Sequence, residues 1–169
     1  MLGGSNGGLL MGAMVTQHPG LARTVVSAVG IYDMVRVELD PNGSFNTTEF
    51  GTVKDPDQFR ALYAYSPYHR VAQGAPYPAM LMTTGATDGR VNPMHSRKMT
   101  AALQAASGSD RPILLRTDRQ SGHGQGSSLA TRIEMQTDVL SFLLDQLGMH
   151  WSTGTQASGG AESAGGDGP

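Results

Sequence analysis

The sequence predicts an α/β fold in which a mostly parallel sheet is flanked by helices. Three short apolar runs, at 24–30, 79–85 and 113–118, have the composition of buried strands, and each leads into a turn or loop. Segments with helical patterns alternate with these runs along the chain. Strands that alternate with helices form parallel sheets, because the chain crosses over before each new strand begins. We find no internal repeat.

The first half of the chain contains one clear helix, one strand and a long irregular region. A helix is predicted from Asn6 to His18, because apolar and small residues share one side of it and Pro19 and Gly20 follow. The β-branched run at 24–30 is the first of the three strands. Residues 33–77 are rich in Asn, Gly, Asp, Pro and aromatic residues, and we expect a long irregular region with at least one short helix, near 55–65.

The second half repeats the order strand, turn and helix. After the strand at 79–85, a helix is predicted from Pro93 to Ala106, with proline suited to its first turn. The strand at 113–118 leads into a loop at 121–126, and a final helix is predicted from Ser127 to Leu147. We expect the apolar residues of this helix to face the core, namely Ile133, Met135, Val139, Leu140, Phe142, Leu143, Leu144 and Leu147.

Composition sets the domain count and excludes several classes of function. Residues 152–169 are rich in Gly, Ser and Ala, so we predict a disordered tail after a single domain at 1–151. The formal charge is −2 with no basic run, which argues against a nucleic-acid partner or an acidic membrane surface. The absence of cysteine excludes disulfides and thiolate chemistry, and we expect neither a metal nor a cofactor.

Three residues are candidates for a catalytic site at one edge of the predicted sheet. Ser5 lies in a G-x-S-x-G pattern at 3–7, where glycine tolerates the positive φ and the close backbone approach of a sharp turn. Asp88 follows the strand at 79–85, and His123 follows the last strand. Serine becomes a nucleophile when histidine takes its proton, and a carboxylate orients the histidine. The chain order Ser, Asp, His is that of α/β-hydrolases, and differs from that of chymotrypsin and of subtilisin.

Each candidate also has a structural interpretation. Ser5 could be only the N-cap of a helix, and Asp88 before a glycine is a common turn pair. His123 between glycines could be incidental. The three residue types, in this order and after these elements, nevertheless favour a catalytic site. The remaining histidines are weaker candidates: His18 lies at a helix end, and we expect no partner for His69, His95 or His150.

Four segments carry a resemblance to a known family: GGSNGG (3–8), YAYSPYHRV (63–71), YPAMLMTTGATDGRVNPMHSRK (77–98) and SGHGQG (121–126). In this order they resemble the C-terminal part of the prolyl oligopeptidase family, over nearly all of residues 2–151. That family joins a β-propeller to an α/β-hydrolase catalytic domain, so the resemblance implies the C-terminal half of an α/β-hydrolase fold. It implies that Ser5 is the nucleophile, Asp88 the orienting acid and His123 the base. It also implies that the Asn6 backbone N–H is an oxyanion donor and that Arg90 binds a substrate carbonyl.

The sequence departs from the family pattern in two respects. Asn46 stands where the family has a tryptophan that stacks on proline, so we expect no strict preference for proline. The propeller, the first half of the catalytic sheet and the tyrosine of the oxyanion hole have no counterpart in the sequence. Only Met1 and Leu2 precede the serine motif, so we expect the strand before Ser5 to be missing. The chain is then either a fragment of a longer gene product or a naturally shortened hydrolase.

Three functions follow from these observations. The first is a serine hydrolase that cleaves small carboxylic esters and can also hydrolyse short peptides. Esters rank first because they have better leaving groups than amides, so a site with an incomplete oxyanion hole retains ester cleavage longest. The second is a fragment of a prolyl-oligopeptidase-type serine peptidase that is active only when joined to its missing N-terminal half. The third is an inactive remnant or association module. We further expect a homo-oligomer, or association through the exposed sheet edge, because such an edge recruits other strands.

Overall fold

The computed structural model describes residues 1–119, 121–124 and 127–151. The predicted tail at 152–169 lies outside the described residues. The strands in the described part of the chain are β1 (Leu2–Gly4), β2 (Thr24–Ala28), β3 (Ala79–Gly85) and β4 (Ile113–Asp118). The α-helices there are α1 (Asn6–Gln17), α2 (Gly43–Phe50), α3 (Pro56–Tyr65), α4 (Met94–Ala106) and α5 (Leu129–Leu147). Within the same residues, no helix has both the length and the apolar character needed to cross a bilayer.

The four strands form one parallel sheet in the order β1-β2-β3-β4. Leu2 is in register with Val26, Val26 with Leu81, and Leu81 with Leu114. A helix lies in the chain between each pair of neighbouring strands, as a parallel crossover requires. The predicted α/β class with a parallel sheet is therefore confirmed.

Helices cover both faces of the sheet. Successive strand residues point to opposite sides, so both faces carry apolar side chains that pack against helices. On one face, Met11 of α1 and Met99 of α4 share a core with Val25 of β2. On the other face, Val139 and Phe142 of α5 pack against residues of β2 and β3. The sheet is thus the middle layer of three, and the carboxyl ends of its strands are free to carry loops.

The predicted absence of a strand before Ser5 is wrong. Leu2–Gly4 forms β1, and the Met1 carbonyl accepts from the Val26 N–H at 2.9 Å. Backbone hydrogen bonds to β2 define this strand, whereas its two glycines carry no strand signal in the sequence. β2 itself ends at Ala28 rather than at 30, because Val29 adopts a φ of 43° and turns the chain out of the sheet.

Two helices differ from the sequence-based expectation. α2 lies in the long region where the sequence analysis located only the helix near 55–65, and its mostly polar residues give it no strong apolar stripe. In α5, Val139 and Phe142 are buried, whereas Ile133, Leu140 and Leu147 are exposed. The expectation that every apolar residue of this helix faces the core is wrong, because a straight helix presents only one stripe to a sheet.

Candidate active site

Ser5 lies in a sharp turn between β1 and α1. Its backbone has φ 55° and ψ −118°, a conformation that residues with a side chain rarely adopt. The Ser5 N–H donates to the Ala28 carbonyl at 2.9 Å, and the Ser5 carbonyl accepts from the N–H groups of Gly8 and Leu9 at 2.9 and 3.1 Å. Both sides of the strained residue are therefore tied to regular structure, at the carboxyl end of β1.

The neighbouring glycines are required for close backbone approach. A Cβ at Gly3 would lie 2.4 Å from the Gly7 carbonyl oxygen, and one at Gly8 would lie 2.6 Å from Gly30 Cα. The glycines of the motif have ordinary φ angles, and the positive φ belongs to Ser5 itself. The expectation that glycine supplies the positive φ of this turn is therefore wrong, because the strain falls on the serine.

The three candidate catalytic residues form one hydrogen-bonded chain. His123 Nε2 lies 3.0 Å from Ser5 Oγ, and His123 Nδ1 lies 2.8 Å from Asp88 Oδ2. A carboxylate only accepts, so Nδ1 carries the ring proton and Nε2 accepts from the Ser5 hydroxyl. The other Asp88 oxygen accepts from the N–H groups of Arg90 and Val91, both at 2.9 Å. The carboxylate is buried and held at both oxygens.

The loops that carry Asp88 and His123 are bonded to each other. Thr87 Oγ1 donates to the Ser121 carbonyl at 3.1 Å, and the Ser121 N–H donates to Asp118 Oδ1 at 3.1 Å. A Cβ at Gly85 would lie 2.2 Å from the Gly122 carbonyl oxygen, so the loops are in backbone contact. This contact brings residues far apart in the sequence to the same edge of the sheet as Ser5.

Asn6 and Arg90 both lie beside this chain of hydrogen bonds. Asn6 is the first residue of α1, where backbone N–H groups have no partner within the helix. Its side-chain amide donates to Glu49 Oε1 at 2.9 Å, which brings α2 against the serine turn. The Arg90 carbonyl accepts from Asn42 Nδ2 at 3.4 Å. Arg90 and Asn42 also line a cavity of about 350 Å³ together with Phe45 and Gly89.

The sequence analysis missed several polar residues around the site. Glu49 and Asn42 belong to α2 and the residue before it, a segment without a recognisable helical pattern. The expectation that His69 and His95 lack partners is wrong. His69 Nδ1 lies 2.9 Å from Ser66 Oγ, and His95 Nε2 lies 2.8 Å from Asp40 Oδ2. The contact of His95 depends on tertiary packing, because Asp40 is far away in the sequence. Ser66 lies only three residues before His69, in a short turn that the sequence analysis did not recognise.

Asp33 is a buried acidic residue outside the hydrogen-bonded chain of Ser5, His123 and Asp88. Asp33 pairs with Lys98 and Arg36, and His69 lies 3.8 Å away. Burial alone would raise the pKa of Asp33, but the hydrogen bond and charge of Lys98, aided by His69 and Arg36, hold this pKa below its ordinary value. Burial lowers the pKa of His69, which the Asp33 charge only partly offsets. Among the described residues, no group of three or more His, Asp or Glu side chains could hold a metal.

Comparison with known sequences places the chain in a family. The sequence profile of the prolyl oligopeptidase family matches residues 1–150. The prolyl endopeptidase of Dictyostelium discoideum is 42% identical over 143 residues, which are 83% of this chain and 19% of that protein. The chain thus spans about a fifth of the length of this relative.

Solved structures give the same result. A structure from a mechanistic study of two prolyl endopeptidases has a TM-score of 0.85 and 46% identity, over 88% of this chain and 22% of its own. Prolyl oligopeptidase B of Galerina marginata, bound to a 35mer hydrolysis and macrocyclization substrate, has a TM-score of 0.84 and 31% identity, over 89% of this chain and 22% of its own. These neighbours confirm the C-terminal part of an α/β-hydrolase fold. The chain therefore belongs to the prolyl oligopeptidase family of serine peptidases.

Proposed function

We propose that this chain carries the catalytic centre of a serine hydrolase that cleaves short peptides, with Ser5 as nucleophile, His123 as base and Asp88 as orienting acid. The observation that carries the proposal is the continuous hydrogen-bonded chain from Asp88 to His123 to Ser5, at 2.8 and 3.0 Å. Both distances are within the range that proton transfer and ring orientation require. The residues stand at the carboxyl ends of parallel strands, where this class of fold binds ligands.

The geometry supports acyl transfer through a covalent intermediate. Ser5 Oγ attacks the substrate carbonyl carbon while His123 Nε2 takes the hydroxyl proton, and Asp88 stabilises the imidazolium. The oxyanion is stabilised by the N–H of Asn6 and the positive end of α1. His123 then gives the proton to the leaving amine, and the acyl group remains on Ser5. A water molecule, deprotonated by His123, hydrolyses this ester and restores the serine.

Peptides rank ahead of esters as the natural substrates in this proposal. The relatives described above are named as peptidases, which reverses the order of the first two functions that the sequence suggested. Activated esters react through the same acyl-enzyme, and their leaving groups depart with less protonation by the histidine than an amine requires. They are therefore useful probes of the site. Arg90, beside the cavity at the start of α2, is the proposed ligand of a substrate carbonyl.

A fluorophosphonate probe tests the proposal, because it reacts only with a serine that a base activates. We expect intact-mass analysis to show one adduct, and peptide mapping to place it on Ser5. Ser5→Ala should abolish the adduct and His123→Ala should nearly abolish it, whereas Ser44→Ala, which alters an exposed serine of α2, should leave it unchanged. A folded parent protein that fails to react, or that reacts equally after Ser5→Ala, contradicts the proposal.

A further inference from the structure

A buried histidine outside the proposed triad joins three segments of the chain. His95, in the first turn of α4, is 5% exposed. Its Nδ1 accepts from the backbone N–H groups of Tyr32 and Asp33, at 3.2 and 3.1 Å, so this nitrogen carries no proton. The proton is therefore on Nε2, which donates to Asp40 Oδ2 at 2.8 Å. The donors and acceptors around His95 fix both its tautomer and its orientation.

Asp40 uses its second oxygen to hold the neighbouring turn. Asp40 Oδ1 accepts from Asn92 Nδ2 at 3.1 Å, and Asn92 Oδ1 accepts from the Met94 N–H at 3.0 Å, where α4 begins. The Asp40 side chain is 20% exposed, and hydrogen bonds to a partly buried carboxylate are stronger than those between neutral groups. One carboxylate thus fixes two side chains, those of Asn92 and His95.

The contact between Asp40 and Asn92 connects Asp40 to the loop that carries Asp88, the proposed acid. We define the acid loop as residues 88–92. Asp88 accepts from two N–H groups inside this loop, and Asn92 is its last residue. Asn42, two residues after Asp40, donates to the Arg90 carbonyl at 3.4 Å. The segment 40–42 therefore holds the acid loop at two points, one beside Arg90 and one at its end.

We propose that Asp40 is a positioning residue, which acts through Asn92 and His95 to set the acid loop relative to Ser5. The proposal rests on the proposed function, since it gives Asp88 and Arg90 their roles. With Asp40 removed, two donors lose their acceptor and the acid loop can shift. Displacement of Asp88 lowers kcat for every substrate, whereas displacement of Arg90 raises KM only for substrates long enough to reach it. A purely structural role would lower stability without producing this difference between substrates.

A swap of two side chains provides the decisive variant. Asp40→Asn keeps an oxygen for His95 but turns an amide donor towards the amide of Asn92, so two donors face each other. The double variant Asp40→Asn/Asn92→Asp restores a donor–acceptor pair at that contact and leaves an oxygen for the Met94 N–H. The net charge also stays the same. Asp57→Ala is the control, because Asp57 is an exposed carboxylate on α3 that pairs with Arg60.

The variants are compared in the full chain by the rate at which the fluorophosphonate labels Ser5, and by kcat and KM for a nitrophenyl acetate and a tripeptide anilide. We expect Asp40→Ala and Asp40→Asn each to slow labelling about 10- to 100-fold, as small misplacements of catalytic groups do. KM should rise for the tripeptide alone. The swap should recover most of the labelling rate, and Asp57→Ala should match the parent. Parent-like labelling of folded Asp40→Ala, or a folded swap as slow as Asp40→Asn, overturns the proposal.

An NMR measurement separates this proposal from the proposed function. In protein with ¹⁵N-labelled histidine, we expect the His95 ring to show a proton on Nε2 alone. Asp40→Asn should shift the His123 ring signals, and the swap should return them towards the parent positions. This readout holds even if the parent does not react with the probe, a result that would contradict only the proposed function. His123 signals that are unmoved by Asp40→Asn contradict the positioning role.

Discussion

The Ser5 N–H donates to the Ala28 carbonyl at 2.9 Å, and this bond continues the β1–β2 ladder into the serine turn. The turn therefore belongs to the sheet on one side and to α1 on the other. Because both sides are fixed, Ser5 is held at φ 55°, a backbone conformation that is strained for a residue with a side chain. The strain directs the hydroxyl to His123 rather than into the helix.

This strain predicts opposite effects of glycine and alanine at position 5. Ser5→Ala keeps a Cβ at the positive φ, whereas Ser5→Gly removes it, so Ser5→Gly should be the more stable variant by about 1 kcal/mol. Circular dichroism melting should show a Tm roughly 2–4 °C higher for Ser5→Gly. At Ser44, inside α2, the order should reverse, because glycine destabilises helices relative to alanine. A Tm for Ser5→Gly at or below that of Ser5→Ala would show that Ser5 is not strained.

A second prediction concerns the substrate residue at the cleaved bond. Asn46 and Glu49 lie three residues apart on one face of α2, and Glu49 contacts Asn6 of the serine turn. We therefore expect Asn46 to lie on the side of α2 that faces the serine turn, where it provides no aromatic ring to stack on proline. We expect similar kcat/KM for chromogenic peptides with proline or alanine at this position.

Asn46→Trp should raise the proline-to-alanine ratio of kcat/KM by about 2- to 10-fold, as expected for one added ring contact. Thr48→Trp adds the same ring at an exposed position of the same helix and should leave the ratio unchanged. A parent protein with a strong proline preference, or an Asn46→Trp variant with an unaltered ratio, would contradict this assignment.

The strands at 79–85 and 113–118 were predictable to the residue, because each begins with an apolar run and is bounded by residues that favour turns. Asp88 and His123 could be selected for the same reason, since each follows one of these strands, whereas Ser5 was selected from its glycine-flanked motif before a clear helix. β1 was not predictable, because two of its three residues are glycines, which have no side chain that could form a strand pattern. The contact of His95 with Asp40 could not be predicted either, because tertiary packing brings together residues that are far apart in the sequence.

A third prediction concerns pH and the buried Asp33. Its pKa in the folded protein lies below the ordinary value of 3.8, so the ionised form favours folding. This stabilisation is fully present above the ordinary pKa and is lost as the pH falls through the lower pKa of the folded state. Asp33→Asn should therefore lower the free energy of unfolding by about 2 kcal/mol at neutral pH, and the difference should shrink at low pH.

Urea denaturation from about pH 7 to about pH 3 measures this difference. Both proteins should carry His69→Gln, because His69 lies beside Asp33 and its own pKa is lowered by burial. Asparagine keeps an oxygen for the N–H groups of Val35 and Arg36, so the variant preserves these two backbone contacts. It removes both the charge and the acceptor of Lys98 and Arg36. A difference that stays constant down to the lowest pH would show that the ionised carboxylate is not what stabilises the fold.

The last prediction concerns self-association. In the part of the chain that the structure describes, β1 pairs with β2 alone, and its other edge is open. Leu2 is in register with Val26, whose side chain packs on the α5 face of the sheet. On that face Ile133 and Leu140 of α5 are 57% and 54% exposed, and they line a cavity of about 610 Å³. An open edge beside exposed apolar side chains tends to bind another chain.

We therefore expect light scattering coupled to size exclusion to give a mass above that of one chain. The double variant Ile133→Glu/Leu140→Glu should shift the protein towards monomer, because two carboxylates on the α5 face oppose its burial. Leu21→Glu/Leu39→Glu introduces the same charges at exposed leucines outside α5 and should leave the mass unchanged. A monodisperse monomeric parent would refute self-association. Equal dissociation by both double variants would instead assign the effect to net charge rather than to this face.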